Sequence, residues 1–158
     1  MFLEFFIWGS WYVTIGNYMA TVGMTDVIDW AYTVHPIGAI LSPFFLGMVA
    51  DRFFATERVL GVMHILGGAA LLATPLFVGQ PVGFIGMLLL HTLFFAATMG
   101  LANTLAFHHM TDQERQFPMI RVFGTIGWIV AGVLVSGVLH ADETAVPLYV
   151  GGVAAIVL

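Results

Sequence analysis

Long apolar runs without a charged side chain alternate with short charged segments along this sequence. Residues 5–25, 30–50 and 122–141 are each uncharged over roughly the 20 positions that a helix needs to cross the hydrocarbon core of a bilayer. The uncharged run 59–111 is too long for one crossing, and the proline and glycine breakers within 75–81 divide it into two helices. A last apolar stretch fills the C-terminal end.

This pattern predicts an all-α membrane protein, a bundle of six transmembrane helices that takes up residues 1–158. The predicted spans are about 5–25, 30–50, 59–78, 82–110, 118–140 and 146–158. The sixth apolar stretch stops at Leu158 without a polar flank and is short for a crossing. We therefore expect a fragment of a longer protein, with a truncated sixth helix and with the C-terminal bundle absent.

The composition indicates that lipid is the solvent for most of the chain. Hydrophobic residues make up 60% and charged residues 8% of the sequence, against about 25% charged in soluble domains. The absence of cysteine excludes disulfides and thiolate catalysis, and the absence of lysine excludes a retinal Schiff base. No metal site is predicted, because no side chains have convincing metal-ligand spacing, and no basic patch indicates nucleic-acid binding.

The loop charges orient the predicted spans. Arg52 and Arg58 lie between spans 2 and 3, and Arg115 lies between spans 4 and 5, whereas the remaining loops carry acidic residues and no basic one. The positive-inside rule puts the arginine loops, and with them the N-terminus, in the cytoplasm. The N-terminal segment lacks the basic start of a cleavable signal peptide and contains Glu4, so we expect it to remain as the first span.

The fifth span carries the clearest candidate binding face. Arg121, Thr125 and Trp128 are spaced i, i+4 and i+7, so they share one side of a helix that is predicted to start near Pro118. They offer a fixed cation with five donors, a hydroxyl and a large aromatic surface, which suits an aromatic, oxygen-rich solute. The alternative is that Arg121 reaches the cytoplasmic interface and binds phospholipid.

The first span carries a second polar stripe. Ser10, Thr14, Asn17 and Thr21 repeat at helical spacing, with Trp11 beside them. The two possible roles are lining a pore and hydrogen bonding between helices. For the serine and the threonines the structural role is favoured. Asn17 is costlier to bury, so Asn17 and Trp11 are kept as candidate solute contacts.

Asn103 lies deep in the fourth predicted span and should need a polar partner, which makes it a further candidate contact. His91 in the same span and His35 at the start of span 2 could titrate in a proton pathway, although a lone histidine is more often a packed residue. No acidic residue is central in a predicted span, and Glu4 is placed at the cytoplasmic start of the first. A proton-coupling carboxylate is therefore expected outside this sequence.

One short loop motif resembles a superfamily of transporters. Gly47, Asp51 and Arg52, at the predicted cytoplasmic end of span 2, are similar to the Gly-x-x-x-Asp-Arg/Lys motif of the major facilitator superfamily. The sequence departs from the family after the motif, where the usual glycine and basic cluster are missing. The resemblance implies that this loop is a gate that helps to hold the cytoplasmic side closed.

Further segments resemble one branch of that superfamily, the nucleoside:proton symporters. They are FIWGSW at 6–11, GNYM at 16–19, GLANT at 100–104 and FPMIRVFGTIG at 117–127, and they occur in the expected order and spans. The resemblance extends over essentially the whole sequence. It implies the N-terminal six-helix bundle of a twelve-helix transporter whose solute site lies between two such bundles.

The resemblance also implies a function. The expected activity is proton-coupled uptake of nucleosides across the bacterial inner membrane by alternating access, driven by the proton gradient without a cofactor. In that family an arginine, a threonine and an aromatic residue of span 5 line the cavity. These match Arg121, Thr125 and Trp128, although the aromatic residue is typically phenylalanine. The implied partners are a nucleoside, protons, the lipid bilayer and the C-terminal half of the same protein.

Three alternatives stay open. A transporter of another solute, such as a sugar or a drug-like amphiphile, would have the same fold with different cavity chemistry. Ser136, Gly137 and His140 faintly resemble a rhomboid-type intramembrane serine protease, although Leu134 stands where the Gly-x-Ser-Gly pattern needs glycine. A non-transporting receptor or assembly subunit is a third possibility, which no residue favours. The expectation is that the protein is not an enzyme.

Overall fold

The computed structural model describes residues 1–44 and 55–158, and within these ranges it contains helices and their connections but no β-strand. The helices in chain order are α1 (Phe2–Trp11), α2 (Ile15–Thr21), α3 (Ile28–Ser42), α4 (Thr56–Ala73), α5 (Pro81–His109), α6 (Gln113–Gly132) and α7 (Val146–Val157). Two 3₁₀ turns, Thr25–Val27 and Thr74–Phe77, precede α3 and follow α4, and a π-helical segment, Val133–Val138, continues α6.

Three helical segments are long and apolar enough to cross a membrane by length and composition: Thr56–Phe77, Pro81–His109 and Gln113–Val138. They occupy the positions of the third, fourth and fifth predicted spans. The first predicted span differs, because a turn at residues 12–14 divides it into α1 and α2. The predicted end of the second span, at residue 50, lies outside the described residues.

Helix α6 begins at Gln113, earlier than the start near Pro118 that the sequence predicts. Asp112 explains the difference, since its carboxylate accepts a hydrogen bond of 3.2 Å from the backbone N–H of Arg115 and so caps the helix. Glu114 adds a favourable negative charge to the first turn. The charged segment before Pro118 is therefore the first part of this helix and not a loop.

Contacts between helices follow the order α6, α1, α7, α4, α5, α3. Helix α1 packs most extensively against α6 and α7, while α5 packs against α4 and α3. The main buried cluster combines Trp11, Ile15, Tyr18, Met19, Met24, Ala31, Val34, Leu71, Phe84, Leu88 and Leu148. Large apolar side chains also cover the outside, and Val82 (88% exposed) and Ile40 (65%) are examples. An outer surface of this kind suits lipid rather than water.

Glycine allows α4 and α7 to approach closely. A Cβ atom at Gly68 would lie 2.8 Å from the carbonyl oxygen of Gly152, and one at Gly152 would lie 2.6 Å from Leu72 Cγ. Gly61, on the same helix as Gly68, faces open space. Small residues at a helix contact are the usual way to pack helices in lipid, and Gly68 and Gly152 have this role between α4 and α7.

Candidate functional site

An aromatic cluster joins α1, α3 and α6. Trp8 of α1 packs edge-on against Trp128 of α6, with ring centroids 5.0 Å apart, and it stacks on the His35 ring of α3 at 4.4 Å. Tyr12, just after α1, packs edge-on against Tyr32 and His35 at 5.4 and 5.6 Å. Residues that are far apart in sequence thus build one continuous aromatic surface.

Arg121 extends this surface along α6. Its guanidinium carbon lies 5.9 Å from the centroid of the Phe5 ring, which is itself 6.2 Å from Trp8. Arg121 and Thr125 are both exposed, and no carboxylate within residues 1–44 and 55–158 forms a salt bridge with Arg121. We call the aromatic face the set formed by Phe5, Trp8, Tyr12, Tyr32, His35, Arg121, Thr125 and Trp128.

The aromatic face has unused hydrogen-bonding capacity. Trp8 Nε1 and His35 Nδ1 are shielded from solvent, and neither atom has a hydrogen-bond partner in the part of the chain that the structure describes. The indole N–H is a donor only, whereas an imidazole nitrogen donates or accepts according to its tautomer. Buried polar atoms are normally paired, because leaving one unpaired costs free energy. A solute with a planar ring would suit the exposed parts of these rings.

The polar stripe of the first span divides into two parts. Ser10 and Thr14 are buried, and their hydroxyls donate to the carbonyl oxygens of residues 7 and 11 of the same helix segment. Asn17 and Thr21 are exposed, and the Thr21 hydroxyl donates to the Asn17 backbone oxygen. These bonds stay within the first span, so they are not the hydrogen bonds between helices that the sequence favoured for Ser10 and Thr14.

Trp11 lies on the interior side of α1, where its ring packs edge-on against Tyr12 of the aromatic face at 5.6 Å. Its side chain is fully buried, and its ring packs edge-on against the His91 ring at 5.5 Å. His91 is equally buried, and its Nδ1 is 2.9 Å from the carbonyl oxygen of Gly67. Both residues therefore belong to the core. Asn103 on α5 is half-buried, and its side-chain oxygen has no partner among the described residues.

Glu4 lies in the first turn of α1, and its side chain is buried between helices. Its side chain is 2% exposed, and its Oε1 is 2.9 Å from Nε2 of His64 on α4. Thr98 of α5 lies 3.2 Å from the other carboxylate oxygen, Oε2. We call these three residues the buried triad. His64 was not among the predicted site residues, although a histidine in the middle of an apolar helix is itself a signal of a polar partner.

The remaining candidate residues add no second site. The predicted gate residues, Gly47, Asp51 and Arg52, lie outside the described residues. Ser136, considered above as a protease nucleophile, donates its hydroxyl hydrogen bond to Asp142 and not to a histidine. No group of three potential metal ligands occurs within residues 1–44 and 55–158.

These features define a class of protein. A bundle of apolar helices that spans the bilayer, with a half-buried face of rings and polar atoms, is suited to binding a solute within the membrane. Polar groups inside membrane segments commonly line such solute pathways. The class is therefore that of a multi-spanning helical membrane protein with a candidate solute-binding face.

Comparison with known proteins identifies the family. The sequence matches the family described as Nucleoside H+ symporter over residues 1–158, and the chain belongs to that family. It is 38% identical to the "Putative nucleoside transporter YegT" of Escherichia coli (strain K12), and the match covers 95% of this chain and 37% of the relative. It is 34% identical to the "Xanthosine permease" of the same organism, covering 99% of this chain and 38% of the relative.

The fold has a solved counterpart. The crystal structure of the nucleoside transporter NupG superimposes with a TM-score of 0.83 at 30% identity, over 99% of this chain and 40% of that one. The fold is thus the N-terminal six-helix bundle of the major facilitator type, as the sequence predicts. The chain spans 37–38% of the length of the two curated relatives described above.

Proposed function

We propose that this chain is the N-terminal bundle of a secondary active transporter that takes up nucleosides together with protons. The proposal is supported by the family, which is described as Nucleoside H+ symporter, and by relatives that are named as a nucleoside transporter and a xanthosine permease. The two bundles of the complete transporter would rock about a central site and expose it alternately to each side of the membrane.

The aromatic face is the observation that carries the proposal. A nucleobase is a planar ring that stacks on aromatic side chains, and such stacking contributes about 1–3 kcal/mol per base. Trp8 Nε1 and His35 Nδ1 are unpaired but shielded, so they would meet the polar edge of a base only after the rings around them move apart. Arg121 and Thr125 would bind oxygen atoms of the solute from α6. In this arrangement Asn17 and Asn103 are secondary candidates, whereas Trp11, the remaining predicted contact, lies in the core.

The proposed location is the bacterial inner membrane, with the N-terminus in the cytoplasm. Arg58 and Arg115 lie at the starts of α4 and α6. Asp29 at the start of α3 and Asp142 after the π-helical segment are acidic, and the segments that contain them have no basic residue nearby. This asymmetry favours cytoplasmic starts for α4 and α6. The loop with Asp51 and Arg52 would then close the cytoplasmic side, a role that rests on the motif resemblance alone.

Uptake of labelled uridine by transport-deficient bacteria that express the complete gene tests the proposal. We expect uptake above that of the empty vector, and we expect a protonophore to abolish it, because the proton gradient is the driving force. Uptake that persists with the protonophore would contradict proton coupling. Absence of uptake of uridine and adenosine, with the protein shown to be in the membrane, would contradict nucleoside transport.

Competition separates the proposal from transport of another solute by the same fold. Excess unlabelled adenosine should suppress uptake of labelled uridine, whereas excess glucose or ribose should not. Ribose is the informative competitor, since it contains the sugar hydroxyls but lacks the ring that the aromatic face would stack. Equal inhibition by ribose and adenosine would show that the base is not recognised.

A further inference from the structure

The buried triad connects three helices inside the bundle and does not touch the aromatic face. Glu4 of α1 meets His64 of α4 through Oε1 and Thr98 of α5 through Oε2, at 2.9 and 3.2 Å. All three side chains are at least 97% buried. A carboxyl group in such an environment is costly to keep charged unless hydrogen bonds compensate for its lost hydration. The triad supplies those bonds.

The Thr98 hydroxyl has two alternative acceptors. Its Oγ1 lies 3.2 Å from Glu4 Oε2 and 2.7 Å from the carbonyl oxygen of Phe95, but a hydroxyl has a single hydrogen to donate. When Glu4 is ionised, the hydroxyl can donate to Oε2. When Oε2 carries a proton, Glu4 can donate to Oγ1 while Thr98 donates to the Phe95 oxygen. His64 Nε2–H can donate to Oε1 in both states.

The same positions of the heavy atoms therefore satisfy Glu4 with and without a proton. A purely structural link needs only one fixed pattern of hydrogen bonds, whereas a reversible proton site needs both forms to be tolerated in one fold. Neither form leaves an unpaired buried group in the triad, so both can exist without rearrangement of the helices. This property distinguishes the triad from Ser10 and Thr14, which bond only to their own helix.

An open cavity of about 380 Å³ reaches Glu4. Leu60, Leu105 and His109 also line it, together with Met1 and Leu158, the first and last residues of the sequence. The cavity is large enough for several waters, since one water occupies about 30 Å³ of liquid volume. Water in this cavity would give protons a route to a carboxyl group that is otherwise enclosed by apolar side chains.

Few other ionisable groups surround the carboxyl group. His64 comes from α4, and α7 carries no acidic or basic side chain. His109 of α5 and Met1, with its N-terminal amine, line the same cavity as Glu4. Arg121 of α6 lies over the ring of Phe5, the residue next to Glu4, with its side chain exposed. Within the described residues, His64 is thus the one ionisable side chain in direct contact with Glu4.

We propose that the buried triad is a proton-binding site of this chain, in which Glu4 Oε2 takes up and releases one proton. On uptake a hydronium ion in the cavity gives its proton to Oε2, an O–H bond forms there, the hydronium becomes water, and the triad becomes more positive by one charge. Release is the reverse. The role of the site in transport rests on the proposed proton coupling, but the proton binding itself does not.

Infrared difference spectroscopy on the purified chain in lipid, from about pH 4 to about pH 9, measures this directly. We expect a carbonyl-stretch band of a protonated, buried carboxyl group that disappears as the pH rises. Glu4→Gln should remove the band, because the amide has nearly the same shape and cannot ionise. Glu57→Gln and Glu114→Gln, which change exposed carboxylates on α4 and α6, should leave it.

The Thr98 variants test the hydroxyl and remain informative if Glu4→Gln fails to fold. Thr98→Val removes the donor to the carboxylate, so the midpoint of the band should move to higher pH by about one unit, and Thr98→Ser should restore it. A spectrum that Glu4→Gln leaves unchanged, or equal midpoints in wild type and Thr98→Val, would overturn the proposal. Because no nucleoside is present, a failure of uridine uptake leaves this result standing.

Discussion

Helix α1 borders two regions that treat their polar groups in opposite ways. On one side Trp8 belongs to the aromatic face, where its Nε1 and the Nδ1 of His35 have no partner among the described residues. On the other side Glu4 belongs to the buried triad, where both carboxylate oxygens have partners. One surface has hydrogen-bonding capacity left for a solute, and the other is satisfied within the bundle.

This difference separates binding from cohesion within a single helix. A region that binds a solute must leave donors, acceptors and ring surface unpaired until the solute arrives. A region that holds helices together in lipid must pair its polar groups, because no water is available to do so. Substitutions in the buried triad should therefore change stability as well as proton binding, whereas those on the aromatic face should change uptake of solute with little change in stability.

The largest expected effect is on the stability of the protein, from a substitution in the buried triad. Glu4→Ala leaves His64 and Thr98 without their shared partner and should lower the free energy of unfolding by about 3 kcal/mol, as removal of one member of a buried pair does. Glu4→Gln keeps an oxygen and a donor in place, so its effect should be below about 1 kcal/mol. Thermal unfolding in detergent, followed by tryptophan fluorescence, measures both. Similar losses for Glu4→Ala and for Glu57→Ala, the exposed control, would mean that the triad contributes no cohesion.

Among substitutions on the aromatic face, Arg121→Ala should have the largest effect on solute uptake. It removes charge-assisted hydrogen bonds to the solute, so kcat/KM for nucleoside uptake by the complete transporter should fall by about 10- to 100-fold. Arg115→Ala, which changes an exposed arginine near the start of the same helix, should leave uptake unchanged. The unfolding temperature should be similar in both variants. Equal uptake for the two variants would place Arg121 at the lipid interface instead.

Gly68→Ala tests the packing of α4 against α7. The added methyl group would meet the carbonyl oxygen of Gly152, so the variant should lose about 1–3 kcal/mol of stability. Gly61→Ala on the same helix meets open space and serves as the matched control. The same thermal unfolding assay applies. Equal unfolding temperatures for Gly68→Ala and Gly61→Ala would contradict the close packing of α4 against α7.

The smallest expected effect belongs to Thr125→Val on the aromatic face. The substitution preserves shape and removes one neutral hydroxyl, so KM for uptake should rise by about 3- to 10-fold with little change in stability. Thr104→Val is the control, since the Thr104 hydroxyl donates to the Gly100 backbone oxygen of its own helix. An unchanged KM for Thr125→Val would remove this hydroxyl from the solute site.

Much of the candidate site could be predicted from one helix but not across helices. Arg121, Thr125 and Trp128 share a side of α6 because helical spacing is a local property. Their neighbours Trp8, Tyr12, Tyr32 and His35 come from other helices, and no spacing rule connects them. The same limit explains why Trp11, predicted as a solute contact, is a core residue: the sequence showed that it lies beside a polar stripe but not which side of α1 faces inward.

The sequence by itself indicated that lipid surrounds most of the chain and that the fold is an all-α membrane bundle. Both follow from the length of the uncharged runs and from the cost of charge in lipid, which are properties of consecutive residues. Ordered local motifs also identified the family, which the match over residues 1–158 confirms. Only the tertiary structure decided which polar residues meet. Glu4 is 60 positions from His64 and 94 positions from Thr98 in the sequence. Whether residues so far apart are buried and paired depends on how the helices pack.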